Sequence, residues 1–343
     1  MEFTAVSLFS GAGGMDIGFA QAGIKTIVAN EMDKSAFNTY KENHLNIDYL
    51  DGDINGHLDY LKKYVNTDIV FGGPPCQGFS VAGKMDIEDP RSQLIFSFAQ
   101  TVKNVKPKAF IMENVKALGK LEKFKDIRNK LLKEFEELGY DCQIILLNAK
   151  DFGVPQSRER VFFIGIKKGY GKFSESLLEK YKSEAPTIRE AISHLGPAGS
   201  INNPQICNAK ITIAKNPILR KSPYAGMLFN GQGRPINPDG WSGTLPASMG
   251  GNRTPIIDEK HLYDNHDSWI EKLHENFVTQ DFSICKTPEY LRRLTIDEAA
   301  IIQTFPKNYK FIGSQSKVYS QIGNAVPIKL AFAVASAVKE ALH

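Results

Sequence analysis

The stretch "TAVSLFSGAGGMDIGF" at residues 4–19 decides the fold, because it passes from an apolar run through glycines into a helical pattern. The run Thr4–Phe9 has the character of a short buried strand. After it, Gly11, Gly13 and Gly14 let the backbone turn sharply and approach a ligand closely. Nucleotide-like cofactors bind at this place in α/β folds, at the carboxyl end of the sheet.

The type of cofactor is narrowed by the acidic residues that follow the glycine turn. The dinucleotide fingerprint G-x-G-x-x-G would require glycine at position 16, where this chain has Asp16. Further on, Glu31 is placed to accept hydrogen bonds from ribose hydroxyls, and Asp53 from an adenine amino group. A ribose and an adenine without a pyrophosphate describe S-adenosylmethionine. The alternative is that the glycines only form a tight turn and the acids only cap helices.

The same alternation of short apolar runs with amphipathic segments continues to about residue 167. Short buried strands joined by helical crossovers pack as a mostly parallel sheet covered by helices, so the sequence predicts an α/β fold. Further strands are expected at Thr26–Asn30, Asp68–Phe71, Ala109–Glu113, Gln143–Asn148 and Val161–Ile166, and helices at residues 92–105 and 121–138.

From about residue 183 the alternation stops, and prolines, glycines and asparagines become frequent, as in "NGQGRPINPDG" at 230–240. This composition predicts a second domain of loops and short strands. Helical patterning returns after residue 287, where Thr295 and Glu298 match a capping box ahead of an apolar run. The last segment, Pro327–Leu342, has the pattern of an amphipathic helix that closes back on the first domain.

Composition excludes several classes of protein. With 343 residues, the chain has room for about two domains. It contains no apolar run of roughly 18 residues, the length that a membrane span needs. Four widely separated cysteines give neither a C-x-x-C metal pair nor a disulfide scaffold, so we expect no metal and a cytoplasmic location. A formal charge of only +4 does not identify a partner.

One of these cysteines has an unusual setting, in "GGPPCQGFS" at 72–80. Free cysteines are mostly buried hydrophobes, and Cys142, Cys207 and Cys285 are interpreted in that way. Around Cys76, however, two prolines fix the loop in one extended shape, and the flanking glycines permit close approach of a substrate. The loop should leave the sheet at the edge where the cofactor binds, so Cys76 is a candidate nucleophile.

A carboxylate ends the next buried strand, in "FIMENVKAL", where Glu113 either caps the following helix or faces the same crevice as Cys76. A thiol and a carboxyl beside a methyl donor suit the methylation of an aromatic ring carbon. A thiolate that adds to the neighbouring ring carbon leaves an enamine, which can attack a methyl group. Protonation of the ring nitrogen by the carboxyl favours that addition, provided that the pKa of Glu113 is raised.

These residues belong to an ordered set of motifs that resembles the DNA cytosine-C5 methyltransferases of bacterial restriction-modification systems. The set covers nearly the whole chain, and its six members resemble the family's cofactor loop, nucleophile loop, acid motif, Q-x-R-x-R motif and two C-terminal motifs. They are Phe9–Gly14, Pro74–Cys76, Glu113–Val115, "QSRER" at 156–160, "RRLTIDEAAIIQTFP" at 292–306 and "QIGNAVP" at 321–327. Two departures are Met32, where the family often has an aromatic residue, and Ile328, where a second proline is frequent.

The resemblance implies a Rossmann-like sheet of the S-adenosylmethionine-dependent methyltransferase type, with helices on both faces, and a smaller loop-rich target-recognition domain. The implied boundaries are 1–182 for the catalytic domain, 183–290 for the recognition domain, and 291–343 for a hinge and C-terminal helices that complete the catalytic domain. It implies that Cys76 attacks C6 of a cytosine flipped out of duplex DNA, that Glu113 engages N3 and the exocyclic amine, and that Arg158 and Arg160 assist nearby.

The resemblance also implies contact residues and partners. The implied cofactor contacts are Phe9, Gly11, Ala12, Gly14, Glu31, Met32, Asp53, Ile54, Pro74, Leu94, Asn324 and Val326. The candidate DNA contacts are Ser80, Arg234, Thr244, Leu245 and Arg253, with Thr244 and Leu245 at the centre of "GTLPASMGG". The expected product is S-adenosylhomocysteine, and the expected enzyme is a monomer that acts on double-stranded DNA, independently of a companion restriction endonuclease. No rule converts these residues into a target sequence.

Three other functions compete with this one. One branch of the family with this architecture resembles a tRNA cytosine-C5 methyltransferase, but a recognition segment of about 100 residues exceeds a minimal connector. An NAD-dependent dehydrogenase is disfavoured by Asp16 and by the setting of Cys76. A DNA-binding module without activity is disfavoured by an intact thiol, acid and cofactor loop.

Overall fold

The computed structural model describes residues 2–75, 93–264, 266–281, 283–284 and 286–343, so Cys76, Ser80 and Cys285 lie outside the described residues. The chain forms two compact units. The first comprises Met1–Phe152, Arg158–Ser183 and Val326–His343, and the second Gly153–Ser157 and Glu184–Ala325. The sequence assigned residues 291–343 together to the catalytic domain. In the structure, residues 291–325 belong to the second unit, and the segment from Val326 onward belongs to the first.

The first unit is an α/β structure. Its strands are β1 (Phe3–Leu8), β2 (Ile24–Glu31), β3 (Asp48–Asp51), β4 (Ile69–Gly72), β5 (Ala109–Val115), β6 (Tyr140–Asn148) and β7 (Glu159–Lys167). Its helices are α1 (Gly14–Gln21), α2 (Lys34–Asn43), α3 (Leu94–Val105), α4 (Lys116–Lys120), α5 (Lys125–Glu137) and the C-terminal helix Ile328–Ala341. The predicted α/β alternation is therefore confirmed.

The seven strands form one sheet in the order β3-β2-β1-β4-β5-β7-β6. All neighbours pair in parallel except at β7, which is antiparallel to both β5 and β6. The chain runs outward from β1 through β2 to β3, and then returns to place β4 on the other side of β1. Such a reversal opens a crevice at the carboxyl ends of the two central strands. The mostly parallel sheet is as predicted.

Helices cover both faces of the sheet, as two adjacent residues of β4 show. Val70 lies in the core cluster that contains Phe98 of α3. The next residue, Phe71, stacks on Phe19 of α1 with ring centroids 3.8 Å apart. Since consecutive side chains of a strand point to opposite faces, α1 and α3 lie on opposite sides of the sheet.

The C-terminal helix Ile328–Ala341 packs closely on α1. A Cβ at Gly18 would lie 2.6 Å from the backbone nitrogen of Phe332, so only glycine fits there. Lys339 donates to the carbonyl of Ala22 at the end of α1 over 2.8 Å. By composition alone the stretch Gln315–Ala341 could cross a membrane, but 72% of its apolar window is buried inside the protein, as in a core helix.

The second unit contains short strands and helices around two apolar clusters. Its strands are β8 (Ile213–Ile218), β9 (Met227–Phe229), β10 (Ile256–Asp258) and β11 (Leu291–Arg293). Its helices are α6 (Ile188–Ile192), α7 (Glu259–Asp264), α8 (Trp269–Val278), α9 (Ile296–Ile302) and α10 (Gln315–Asn324), so the C-terminal helix of the chain is α11. The predicted capping box is confirmed, because Thr295 and Glu298 bond reciprocally at the start of α9.

Candidate cofactor site and active site

The loop after β1 leaves the sheet at the crevice between β1 and β4. Phe9, Gly11 and Gly13 have φ values of 53°, 57° and 80°, in the left-handed region that glycine adopts most easily. Apart from Gly11 itself and its two chain neighbours, no atom of the described residues lies within 4 Å of the position that a Cβ on Gly11 would take. The turn therefore leaves free space at the strand ends, which is what a bound cofactor needs.

Glu31, at the end of β2, holds this glycine loop in place. Its Oε2 accepts from the backbone N–H of Gly11 over 2.7 Å, and its Oε1 accepts from Met32 and Asp33 over 2.9 and 2.7 Å. Burial raises the pKa of Glu31, and the backbone donors oppose that rise. Since each carboxylate oxygen can accept about two hydrogen bonds, Oε2 retains capacity for a ribose hydroxyl.

Helix capping is observed for Asp33 and Asp53, but not for Glu31. Asp33, and not Glu31, caps α2, because its carboxylate accepts from the N–H groups of Ser35 and Ala36. Asp53 does cap the short 3₁₀ turn Ile54–Gly56 by accepting from Asn55 N–H over 3.0 Å. Asp53 is nevertheless exposed, so it can still accept a hydrogen bond from a ligand.

Asn30 fixes the position of the loop that carries Asp53. Its buried amide donates to the carbonyls of Leu50 and Gly52, each over 2.9 Å. The N–H of Gly52 in turn donates to the carbonyl of Glu31 over 3.1 Å. The two expected cofactor acids, Glu31 and Asp53, are thus tied together through backbone hydrogen bonds at the ends of β2 and β3.

The other expected cofactor residues of the first unit differ in exposure. The Met32 side chain is 63% exposed, so its thioether is available beside Glu31. Phe9 and Leu94 are partly buried against the core. The remaining ones, which are buried and would meet a cofactor mainly through small surfaces or backbone atoms, are Ala12, Gly14, Ile54, Pro74 and Val326. Asn324 is exposed and belongs to the second unit.

Asp16 takes a structural role at the position where a dinucleotide fingerprint would need glycine. It is 1% exposed and accepts hydrogen bonds from the hydroxyls of Ser7, Thr26 and Tyr40 over 2.8 to 3.0 Å. Burial raises the pKa of this carboxyl, while the positive field of His44 and the three hydroxyls oppose that rise. Asp16, whose presence argues against a pyrophosphate site, thus fixes α1 to the sheet through these hydrogen bonds.

Glu113 lies near the end of β5 and pairs with Arg160 of β7. In the antiparallel register Glu113 is opposite Phe162, and Val115 is opposite Arg160, so the acid and the arginine share one face of the sheet. The Arg160 Nε to Glu113 Oε1 distance is 2.8 Å, and the two side chains are only 14% and 13% exposed. Val115 occupies the N-cap position of α4, so Glu113 is not its cap.

Burial and two arginines act in opposite directions on the pKa of Glu113. Burial raises the pKa of Glu113 above that of an ordinary glutamic acid, although Arg160 and Arg158 act in the opposite direction. Arg158 is almost fully buried, at 1% exposure, and its backbone N–H donates to Asn148 Oδ1 over 3.0 Å. The structure therefore places Arg158 and Arg160 close enough to Glu113 for their charges to oppose the rise of its pKa.

The segment that leads to Cys76 contacts this acid directly. A Cβ at Gly73 would lie 2.8 Å from Glu113 Oε2, and a Cβ at Gly72 would lie 2.2 Å from the carbonyl of Leu8. The buried Asn114 amide donates to the carbonyl of Pro74 over 3.1 Å. The sequence predicted that the glycines before Cys76 make room for a substrate. In the structure these two glycines make room for Leu8 and Glu113.

Two of the other cysteines are described, and both are free thiols. Burial raises the pKa of Cys142 to about 12, so this thiol is protonated at neutral pH and is not a nucleophile. Within the described ranges no group of three or more His, Cys, Asp or Glu side chains is arranged to hold a metal ion.

The described DNA-contact candidates lie in the second unit. Arg234, Thr244 and Arg253 are exposed, whereas Leu245 is buried. Thr244 Oγ1 donates to the carbonyl of Ser157 over 3.1 Å, and Leu245 N–H donates to Gln156 Oε1 over 3.0 Å. Exposed arginines and a firmly held loop can meet DNA, and Leu245 supports the loop from inside.

Sequence reasoning assigned no role to Asn30 and Asn114, and it related Gly73 to a substrate and not to Glu113. Asn30 and Asn114 each donate to carbonyls of a neighbouring loop, and Gly73 gives Glu113 its space. The available signal was position, since all three stand at the carboxyl ends of predicted strands. Their partners became visible only with the sheet order.

The reversed sheet order, the glycine loop and the buried acid place the first unit in the fold class of the S-adenosylmethionine-dependent methyltransferases, which have a Rossmann-like sheet. Among solved structures, the Dnmt2 methyltransferase of S. pombe superposes with a TM-score of 0.70 at 19% identity, over 98% of each chain. That likeness concerns the fold.

Sequence comparisons define the family. The profile of the C-5 cytosine-specific DNA methylases matches residues 3–340. Type II methyltransferase M1.HphI of Haemophilus parahaemolyticus is 35% identical over 98% of this chain and 87% of its own length. Type II methyltransferase M.NgoPII of Neisseria gonorrhoeae is 35% identical over 98% and 96%. The chain belongs to the C-5 cytosine-specific DNA methylase family, and it is a DNA (cytosine-5-)-methyltransferase of the restriction-modification type.

Proposed function

We propose that this enzyme transfers a methyl group from S-adenosylmethionine to C5 of a cytosine flipped out of a short specific sequence in duplex DNA, through a covalent bond between Cys76 and C6. The observation that carries the proposal is the geometry of Glu113. This buried acid of raised pKa lies beside Gly73, and Cys76 follows three residues later in the chain.

The chemistry is assigned as follows. The Cys76 thiolate forms a bond to C6, which breaks the C5–C6 double bond and leaves a double bond between C4 and C5, while N3 takes up the displaced electron pair together with the proton that Glu113 delivers. Bound S-adenosylmethionine would supply an electrophilic methyl group for C5, and S-adenosylhomocysteine would be the leaving group. Loss of the C5 proton to water then restores the double bond and expels the thiolate, and N3 returns its proton to Glu113.

Arg160 and Arg158 support this cycle electrostatically. The carboxylate that Glu113 becomes after giving up its proton lies 2.8 Å from Arg160 Nε, so its charge is compensated in a buried place. The same guanidinium groups could donate to the cytosine O2 and to a phosphate. Flipping is required, because a stacked base cannot receive a thiol and a methyl donor together.

The residues at the strand ends fit the cofactor. Glu31 would accept from the ribose hydroxyls, Asp53 from the adenine amine, and Met32 would lie against the adenine with its polarizable thioether. The open side of Gly11 supplies space. The other proposed contacts are Phe9, Ala12, Gly14, Ile54, Pro74, Leu94, Asn324 and Val326.

Target recognition is proposed for the second unit, with contacts from Arg234, Thr244 and Arg253, support from Leu245, and a further contact from Ser80, which lies outside the described residues. Arginine can pair with guanine O6 and N7 in the major groove. We further propose a cytoplasmic monomer, and a companion restriction endonuclease that acts independently, as the relatives' name of Type II methyltransferase suggests.

The test uses purified protein, labelled S-adenosylmethionine, and either a duplex DNA library or tRNA. We expect label in DNA, and bisulfite sequencing should place 5-methylcytosine within one short sequence. Label in tRNA alone would replace this proposal with RNA methylation. DNA label at positions other than cytosine C5 would contradict the mechanism.

A further inference from the structure

Two buried glutamines form a hydrogen-bonded pair inside the second unit. Gln156 and Gln303 are both 0% exposed, and Gln156 Nε2 donates to Gln303 Oε1 over 2.7 Å. At one end, Gln156 Oε1 accepts from the N–H of Leu245 over 3.0 Å. At the other end, Gln303 Nε2 donates to the carbonyls of Ile322 and Ala325 over 2.6 and 3.0 Å. We call this chain of contacts the glutamine relay.

The side-chain amides of the relay can be oriented in only one way. A backbone N–H can only donate and a backbone carbonyl can only accept, so the amide of Gln156 must present oxygen to Leu245, and that of Gln303 must present nitrogen to Ile322 and Ala325. The remaining amide nitrogen of Gln156 then faces the remaining oxygen of Gln303. Turning either amide over would place like groups together in a buried site, where an unsatisfied polar group is costly.

The two ends of the relay reach two different sets of proposed functional residues. The Leu245 end carries Thr244, whose hydroxyl donates to Ser157, and the N–H of Ser157 donates to the carbonyl of Ser242 over 2.8 Å. The other end is the last turn of α10 with its C-cap residue, at 322–325, and this turn contains Asn324. The first set is proposed to contact DNA and the second to contact the cofactor.

We propose that Gln156 and Gln303 are positioning residues that hold the proposed DNA loop at Thr244–Leu245 and the turn bearing Asn324 in a fixed arrangement. This inference rests on the proposed function of those two segments. Gln156 bonds the loop directly, whereas Gln303 bonds both the turn and Gln156. A loss at Gln156 therefore affects DNA binding, and a loss at Gln303 affects both DNA and cofactor binding.

The experiment measures two dissociation constants in parallel, one for a duplex carrying the mapped target sequence and one for S-adenosylhomocysteine. For Gln156→Met we expect about tenfold weaker DNA binding and a cofactor constant within twofold of wild type. For Gln303→Met we expect both to weaken by about tenfold. One unsatisfied buried polar group has an effect of this order.

Gln321→Met is the matched control. Gln321 is also a buried glutamine of the second unit, but the hydrogen bond of its Nε2 goes to the carbonyl of Ile312 over 2.9 Å, outside the relay. Its two dissociation constants should stay within twofold of wild type. Equal effects in Gln321→Met and Gln303→Met would overturn the proposal, because the loss of any buried amide would then weaken binding to the same extent.

Gln156→Glu keeps the proposal testable if the methionine variants fold poorly. A protonated carboxyl offers the same acceptor and donor as the amide, and burial raises the pKa of a carboxyl. Relative to wild type at each pH, DNA affinity should be near normal at low pH and should fall as the carboxyl ionises with rising pH. A pH-independent variant with normal affinity would contradict the relay, whereas a wild-type protein that fails to methylate DNA would contradict the proposed function instead.

Discussion

The loops after β1 and β4 leave the sheet on the two sides of the same crevice, and both contain glycines, yet the glycines have different surroundings. Beside Gly11 the space is open to 4 Å. Beside Gly73 the equivalent space is filled by Glu113 Oε2. The first loop thus leaves room for the proposed cofactor, and the second leaves room for Glu113, the proposed catalytic acid.

This difference assigns the two halves of the proposed site. The β1 loop, with Glu31 and Asp53 nearby, forms the part that a cofactor would occupy. The β4 loop is held by Asn114 and lies against Glu113, so it forms the part in which acid and thiol would act on the base. Substitutions at matched positions in the two loops should therefore separate cofactor binding from catalysis.

The largest effect is expected from Glu113→Gln, which keeps the shape of the side chain and removes its titratable proton. General acid catalysis contributes about 10²- to 10⁴-fold, so methyl transfer in a single turnover should fall by about 10³-fold. Binding of S-adenosylhomocysteine should remain within about twofold, because cofactor contacts are assigned to the other loop. Loss of cofactor binding instead would remove the distinction between the loops.

The pH dependence of the wild-type enzyme follows from the same residue. Burial raises the pKa of Glu113, so its protonated form persists to a higher pH than in an exposed glutamic acid. The single-turnover rate should fall as pH rises through that pKa, and this high-pH limb should be missing from the residual rate of Glu113→Gln. A limb that survives in the variant must come from another group.

Gly73→Ala should have the next largest effect. The new Cβ would lie 2.8 Å from Glu113 Oε2, the tip of a flexible side chain, so the fold should survive while the carboxyl is displaced. A misplaced catalytic group costs up to about 10²-fold in rate. The control is Gly23→Ala, whose Cβ would lie 2.9 Å from Lys339 Nζ, again the tip of a flexible side chain, and whose φ of 74° adds backbone strain that Gly73→Ala does not have. Equal rates for both variants would contradict the role of Gly73.

Gly11→Ala should weaken the cofactor contact. Its Cβ would enter the open space, and the φ of 57° disfavours alanine by about 1 kcal/mol. We expect S-adenosylhomocysteine binding, measured by calorimetry, to weaken by about tenfold. Gly139→Ala is the control, because Gly139 also combines positive φ with open space but lies in the turn before β6. It should lose similar stability without loss of cofactor affinity.

The smallest functional effect is expected at Asp16. Asp16→Asn replaces an acceptor of three hydroxyl hydrogen bonds by an amide that offers only one oxygen. The free energy of unfolding should fall by about 2 kcal/mol, as for other disturbed buried hydrogen bonds, and denaturant titration would measure it. Cofactor affinity should stay within about twofold, since Asp16 is interpreted as a brace and not as a ligand.

Much of the first unit could be predicted from the sequence, because most of its strands are apolar runs bounded by glycine or proline residues. The strand β3 was missed, since Asp48–Asp51 is four residues long and includes two aspartates. The pair Glu113–Arg160 was predicted only as two separate residues. Its geometry depends on the antiparallel insertion of β7 beside β5, which no local pattern reveals.

The second unit was harder to predict, because its organisation depends on buried polar contacts between distant segments. Arg293 is 1% exposed and donates to the carbonyl of Thr254 over 2.9 Å, which ties the motif "RRLT" to the loops of this unit. Residues 291–325 belong to this unit. The sequence alone does not show that the hydrogen-bond partners of an arginine are backbone carbonyls.

The central claim is that Cys76 attacks C6 of the target cytosine. The most direct measurement is mass spectrometry of the enzyme after incubation with S-adenosylmethionine and target duplex in which 5-fluorocytosine replaces the methylated base, since fluorine at C5 blocks release of the thiolate. We predict a covalent complex mapped to Cys76, and none with a folded Cys76→Ser variant. A covalent complex that persists in Cys76→Ser would show that another residue is the nucleophile.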